Sequence, residues 1–183
     1  MNLLRNLPLH SLFIPLVLFF TSPYLIAQEW QTPLIEGYGE VINFHKAAQQ
    51  PNPEQEYKLL FDVTSNAQKQ GVNKRLWVVA RMMNLMHIAQ VPQEQVKIVV
   101  ALHGEATFDA LSQEAYFKKY NKPNPNLDLI EKLAAKGVSL YVCSQAMAAR
   151  SIKTEALHPY VTPALSALSV LTNYQIKGYH LIP

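Results

Sequence analysis

The sequence predicts an α/β fold with a parallel sheet at its centre. Three observations carry that reading. Short, almost wholly apolar runs recur from residue 57 onward, as in Leu59-Leu60-Phe61, Ile98-Val99-Val100-Ala101-Leu102 and Val138-Ser139-Leu140-Tyr141-Val142. Strands of that composition are buried on both faces of a sheet. Segments of helical length lie between them, and glycine or proline punctuates the joints.

Residues 28–56 are broken by Pro33, Gly37, Gly39, Pro51 and Pro53, with one apolar patch at Val41-Ile42-Asn43-Phe44, and they predict an irregular surface arm. Residues 57–64 predict the first central strand. Asn73 is placed to cap a helix over 74–90, which Pro92 stops. Residues 97–104 predict the second strand, with Gly104 opening the loop beyond it. A short helix over 114–120 and a break over 121–126 follow. Asn126 is placed to cap a helix through Lys136, which Gly137 terminates. The third strand covers 138–142, and a loop of small residues covers 144–149. A short helix over 152–158 ends at Pro159, and a brief fourth strand covers 160–162. Pro163 opens a helix that runs to Lys177 and closes at Gly178, and residues 179–182 form the last strand.

The amino-terminal segment reads as a secretory signal peptide over residues 1–27. Arg5 precedes the apolar run 11–20, Pro15 interrupts that run, and Ala27-Gln28 offers a cleavage point. The expectation is export to the periplasm or beyond, with no stable membrane insertion after cleavage; the rival reading is an uncleaved amino-terminal anchor, for which the apolar run is short against a span of about 20 residues. The remainder suits one domain of about 150 residues, and 49% hydrophobic residues in the chain suffice for a core. A net charge of +3 without any block of lysine or arginine leaves no footprint for nucleic acid. The chain has neither GxGxxG nor GxxxxGK[ST], so no nucleotide cofactor is signalled, and no serine lies in a GxSxG elbow.

Cys143 is the single cysteine, so it forms no intrachain disulfide. It stands at the end of the third strand, where α/β proteins present reactive groups. Two readings compete: a small buried hydrophobe, or a thiol whose chemistry is the reason for its place. Arg150 lies seven residues on, and His103 ends the neighbouring strand. Asp62 near the end of the first strand reads more simply as a solvated or capping carboxylate. Met82, Met83, Met86 and His87 cluster on the first long helix. They fit a core stripe better than a Cu(I) site. That helix is apolar on more than half of its circumference, through Trp77, Val78, Ala80 and Leu85, which predicts a second contact surface such as a subunit interface.

Taken in order, several motifs resemble the DsrE/DsrF-like family of small sulfur-relay proteins. They are Tyr57-Lys58-Leu59-Leu60-Phe61-Asp62-Val63, His103-Gly104, Asn124-Pro125-Asn126, Gly137-Val138 with Tyr141-Val142-Cys143, and Gly178-Tyr179-His180-Leu181-Ile182-Pro183. The resemblance covers residues 57–183, and Gly37-Tyr38-Gly39 is similar to the arm of exported members. It implies a flavodoxin-like, five-stranded parallel sheet with helices on both faces, and homo-oligomers, often trimers or hexamers. It also implies a persulfide carried on Cys143, exchanged with a donor or acceptor protein or a small thiol. In the sulfurtransferase members an Arg-Gly and an aliphatic residue follow the cysteine; Arg150 and Ile152 match, and Ser151 replaces the glycine. The site expected on these grounds is Cys143 as acceptor, Arg150 as stabiliser of the thiolate and His103 as proton partner, with no cofactor and no metal. The alternative is a non-catalytic, oligomeric small-ligand-binding module of the same fold.

Overall fold

The computed structural model describes residues 29–183. The expected signal peptide lies outside the described residues. Secondary structure runs β1 (Tyr57–Val63), a hairpin of β2 (Gln68–Lys69) and β3 (Val72–Asn73), α1 (Lys74–Ile88), β4 (Val96–Leu102), α2 (Gln113–Tyr120) and α3 (Leu127–Ala135). It continues with β5 (Ser139–Cys143), α4 (Ser144–Ala148), β6 (Val161–Ala164), α5 (Ala167–Ile176) and β7 (His180–Ile182). The main sheet has five strands in the order β6-β5-β4-β1-β7, and every neighbouring pair is parallel. This is the α/β, five-stranded parallel architecture that the sequence predicts. Like the flavodoxin order 2-1-3-4-5, it sets the first strand one place in from an edge. Here the last strand, β7, takes that edge.

The direction of travel explains the layers. From β1 to β4, β5 and β6 the chain steps one way across the sheet. Right-handed crossovers therefore put α1, α3 and α4 on one face. From β6 to β7 it crosses back, so α5 lies on the opposite face. Alternation along each strand follows suit. Phe61, Val63, Val100, Leu102, Leu140 and Val142 join α1, α3 and Met147 in the large core, whereas Leu60, Val99, Ala101 and Cys143 pack with Ala167 and Val170 of α5.

The arm is irregular, apart from a pair of main-chain hydrogen bonds between Gln31 and Val41. It lies along α1. The buried Asn84 side chain accepts from the Leu34 and Ile35 amides at 3.0 and 2.9 Å and donates to the Tyr38 and Gly39 carbonyls, both at 2.9 Å. Ile35 enters the large core, and Tyr38 packs against it. The arm of the same chain thus covers part of the extra apolar surface on α1 that the sequence assigns to another contact.

Several local expectations need correction. The 144–149 loop begins with a helix, α4, because Ala146, Met147 and Ala148 are good helix formers. The helix expected over 152–158 is only a 3₁₀ turn, Thr154–Ala156. Ser151 precedes it with φ 54°, a left-handed conformation that no helix continues. Pro163 belongs to β6, an edge strand that tolerates a missing N–H; α5 starts later, capped by Ser166. The β2–β3 hairpin, unforeseen, turns through Gln70 and Gly71, both at positive φ. Asn73 caps α1 as predicted, accepting from the Arg75 and Leu76 amides at 2.8 and 3.2 Å. Asn126 occupies the predicted cap position of α3 without capping it through its side chain.

Candidate functional site

Cys143 is the last residue of β5 and the amino-terminal cap of α4. At its end, β5 sends the chain to α4 on one face, while the neighbouring β6 sends it to α5 on the other. Adjacent strands whose exits diverge in this way open a crevice, and open α/β sheets bind ligands there. The thiol therefore lies at the topological switch point of the fold.

The sulfur is surrounded by donors. The Ala146 amide reaches Sγ at 3.4 Å. Polar interactions with the Gln145 and Ala167 amides and the Ser166 side chain also favour the thiolate, so the first turns of α4 and α5 both contribute. Burial, with Cys143 only 7% exposed, pushes the thiol pKa up. The polar interactions, led by that of Ala167, outweigh burial and bring it below its usual value.

Arg150 is held by other partners. Its Nη2 pairs with Glu105 Oε1 at 3.0 Å, its Nη1 donates to the Ala146 carbonyl at 3.2 Å, and its guanidinium lies 5.5 Å from the Phe108 ring centroid. It ties α4 to the 3₁₀ segment Gly104–Ala110 that follows β4. Ser151, in the place where the resemblance puts glycine, adopts the left-handed φ that glycine favours.

His103 follows β4 directly, one residue past the Leu102–Val142 register pair. Its Nε2 lies 2.6 Å from Asp62 Oδ1. A neutral imidazole that donates from Nε2 to this carboxylate has Nδ1 as its acceptor. Asp62 is thus the orienting partner of His103 rather than a plain solvated carboxylate. Gly104 allows the close approach that builds this corner: with φ 53°, a Cβ there would lie 2.6 Å from the Thr64 carbonyl oxygen. The glycine brings two strand-end loops together.

Sequence reasoning missed Ser166 and Ala167 as partners of the thiol. Its one available signal was the capping box of Ser166 and Ser169, which marks a helix start after β6. Of the methionine cluster, Met83 and Met86 are core residues. Among the described residues no group of three or more His, Cys, Asp or Glu side chains is arranged to hold a metal ion, and no helix is long and apolar enough to cross a membrane.

A deeper polar cluster lies between α1 and α3. The buried Asp109 carboxylate accepts from Asn73 Nδ2 at 2.7 Å and Asn126 Nδ2 at 3.0 Å. Asn126 Oδ1 accepts the Asn73 amide at 2.7 Å, and Asn124 Oδ1 accepts the Asn126 amide at 3.0 Å. Burial raises the Asp109 pKa to about 6 in spite of the two donors.

The sequence profile of the DsrE/DsrF-like family matches residues 44–183. No curated protein matches the chain. Among solved structures, a protein of unknown function, MTH1491, from Methanobacterium thermoautotrophicum superposes with a TM-score of 0.54 at 18% identity, over 69% of this chain and 98% of that one. The ychN protein of E. coli gives a TM-score of 0.41 at 16% identity, over 68% of this chain and 96% of its own.

Proposed function

Given that this chain belongs to the DsrE/DsrF-like family, we propose that it carries sulfane sulfur on Cys143. The observation that carries this reading is the set of donors around one sulfur at the switch point. A carrier works through a thiolate, and amides at two helix starts stabilise negative charge on sulfur. In the reaction the Cys143 thiolate attacks the outer sulfur of a donor persulfide, R–S–SH. A new S–S bond forms at Cys143 and the donor's S–S bond breaks. R–S⁻ departs and takes up a proton, leaving Cys143–S–SH. Oriented by Asp62, His103 is the proton partner at this edge. Arg150 acts by holding α4, and through it the Gln145 and Ala146 amides, in place. We further propose that the chain is exported and works as a homo-oligomer.

One observation favours the second reading, a non-catalytic small-ligand-binding module: Cys143 is buried. The pH dependence of iodoacetamide alkylation of the native protein separates the two. The carrier reading expects labelling with an apparent pKa below the ordinary thiol value. Ser166→Ala raises that pKa and Arg150→Ala leaves it in place. It also expects intact protein, isolated without reductant, to carry an extra mass of about 32. Alkylation only after denaturation would overturn the carrier and leave the module.

A further inference from the structure

The carboxyl edge of the sheet holds a recess away from the thiol itself. It is a cleft of about 360 Å³ between the ends of β1 and β7, lined by Asp62, Thr64, Arg75, Leu181 and Ile182 among others. That volume lies in the lower part of the range of small-molecule pockets. β4 and β5 separate β1 from the sheet edge at β6, so the cleft lies two strands away from Cys143, roughly 10 Å at ordinary strand spacing.

The cleft carries charge of both signs. Asp62 contributes a carboxylate whose Oδ1 is engaged by His103 and whose side chain is 35% exposed. Arg75 contributes a guanidinium fixed by Nη1 on the Pro183 oxygen at 2.8 Å and Nη2 on the Ile182 oxygen at 2.9 Å. It also lies 5.5 Å from the Phe61 ring centroid. Two bonds leave most of the five guanidinium donors for a ligand. Arg75 is therefore oriented at the cleft wall, and an oriented group loses little freedom on binding. Leu181 and Ile182 add an apolar wall. A simple anion meets the Asp62 charge here and a simple cation meets Arg75. A molecule with both charges and a short apolar part satisfies all three surfaces.

We propose that this cleft binds a zwitterionic ligand of amino-acid to dipeptide size, its ammonium on Asp62 and its carboxylate on Arg75. Occupation of the site reaches His103, because the ligand ammonium and the imidazole share one carboxylate. The inference does not depend on Cys143 being a sulfur carrier.

The test is a nuclear magnetic resonance titration of the full chain with glycyl-leucine, read on the His103 imidazole and on the Thr64 and Ser65 amides. A saturable shift of these signals is expected. N-acetylglycyl-leucine, lacking the ammonium, and glycyl-leucinamide, lacking the carboxylate, each bind at least about tenfold more weakly, since each loses a charge-assisted bond. In Asp62→Asn the advantage of the free amine over the acetylated probe disappears. Cys143→Ser binds as the parent does, which keeps this result separate from the fate of the sulfur reading. No saturable shift up to about 10 mM, or equal affinity for the capped probes, would overturn the proposal. The capped-probe comparison needs only the parent protein, so it decides even if Asp62→Asn does not fold.

Discussion

Asp109 makes a measurable prediction about stability and pH. Its carboxyl is buried, and its pKa rises from 3.8 to about 6. The fold therefore prefers the neutral acid. The stability it contributes is fully present below the unfolded value of 3.8 and is lost as pH rises through 6. A difference of roughly 2 pH units at 1.36 kcal/mol each sets the full cost of ionisation at about 3 kcal/mol. Only part of it falls in a convenient range. At pH 5 the folded carboxyl is mostly neutral and the unfolded one mostly ionised; by pH 7 both are ionised. Integrated over that interval, the linkage costs about 1 kcal/mol.

The perturbation is Asp109→Asn, nearly isosteric and without charge. Its amide oxygen replaces one acceptor, but its NH2 faces the donor of Asn73 or Asn126, so one hydrogen bond is lost at a cost of about 1–3 kcal/mol. Near pH 7 that loss roughly offsets the removed ionisation cost, and as pH falls to 5 the parent gains on the variant. The assay is urea unfolding at half-unit pH steps, followed by the fluorescence of Trp77, which is 1% exposed in the core. Contributions from the histidines and the other carboxylates are common to both proteins and cancel in the difference. The parent is expected to lose about 1 kcal/mol relative to the variant between pH 5 and 7. Parallel profiles would refute the reasoning and mean that the asparagine donors fully compensate the burial.

Two backbone positions give sharper expectations. Gly39 has φ 65°, and a Cβ there would lie 2.1 Å from the Arg81 amide nitrogen. Gly39→Ala therefore lifts the arm from α1 and breaks the Asn84 clamp, and limited proteolysis cuts the variant within residues 29–56 faster than the parent. Equal cleavage rates would show that the arm docks without Gly39. Ser151 has φ 54°, and Ser151→Gly relieves that strain, raising stability by about 1 kcal/mol with the thiol pKa unchanged. A fall in the urea midpoint would contradict this.

What could be read in the sequence divides along a physical line. The apolar runs fix strands because burial on both faces leaves a local signature, and β1, β4 and β5 lie where those runs stand. Asn73 was legible for the same reason: a cap acts within three residues of itself. The surroundings of Cys143 were not. Arg150, seven residues away, looks like the nearest cation, yet the turn at Ser151 and the pull of Glu105 and Phe108 draw its side chain toward the segment after β4. The groups that favour the thiolate include Ser166 and Ala167, more than twenty residues on, and they arrive only because β6 pairs beside β5 and its chain then leaves over the opposite face. Asp62 and His103 meet by the same logic, since β1 and β4 are neighbours whose ends share one edge. Strand order thus decides which groups act on the thiol. No window of sequence around Cys143 contains that order: it comes from the crossover direction, and a reversal of that direction after β6 is what brings a second helix start to the end of β5.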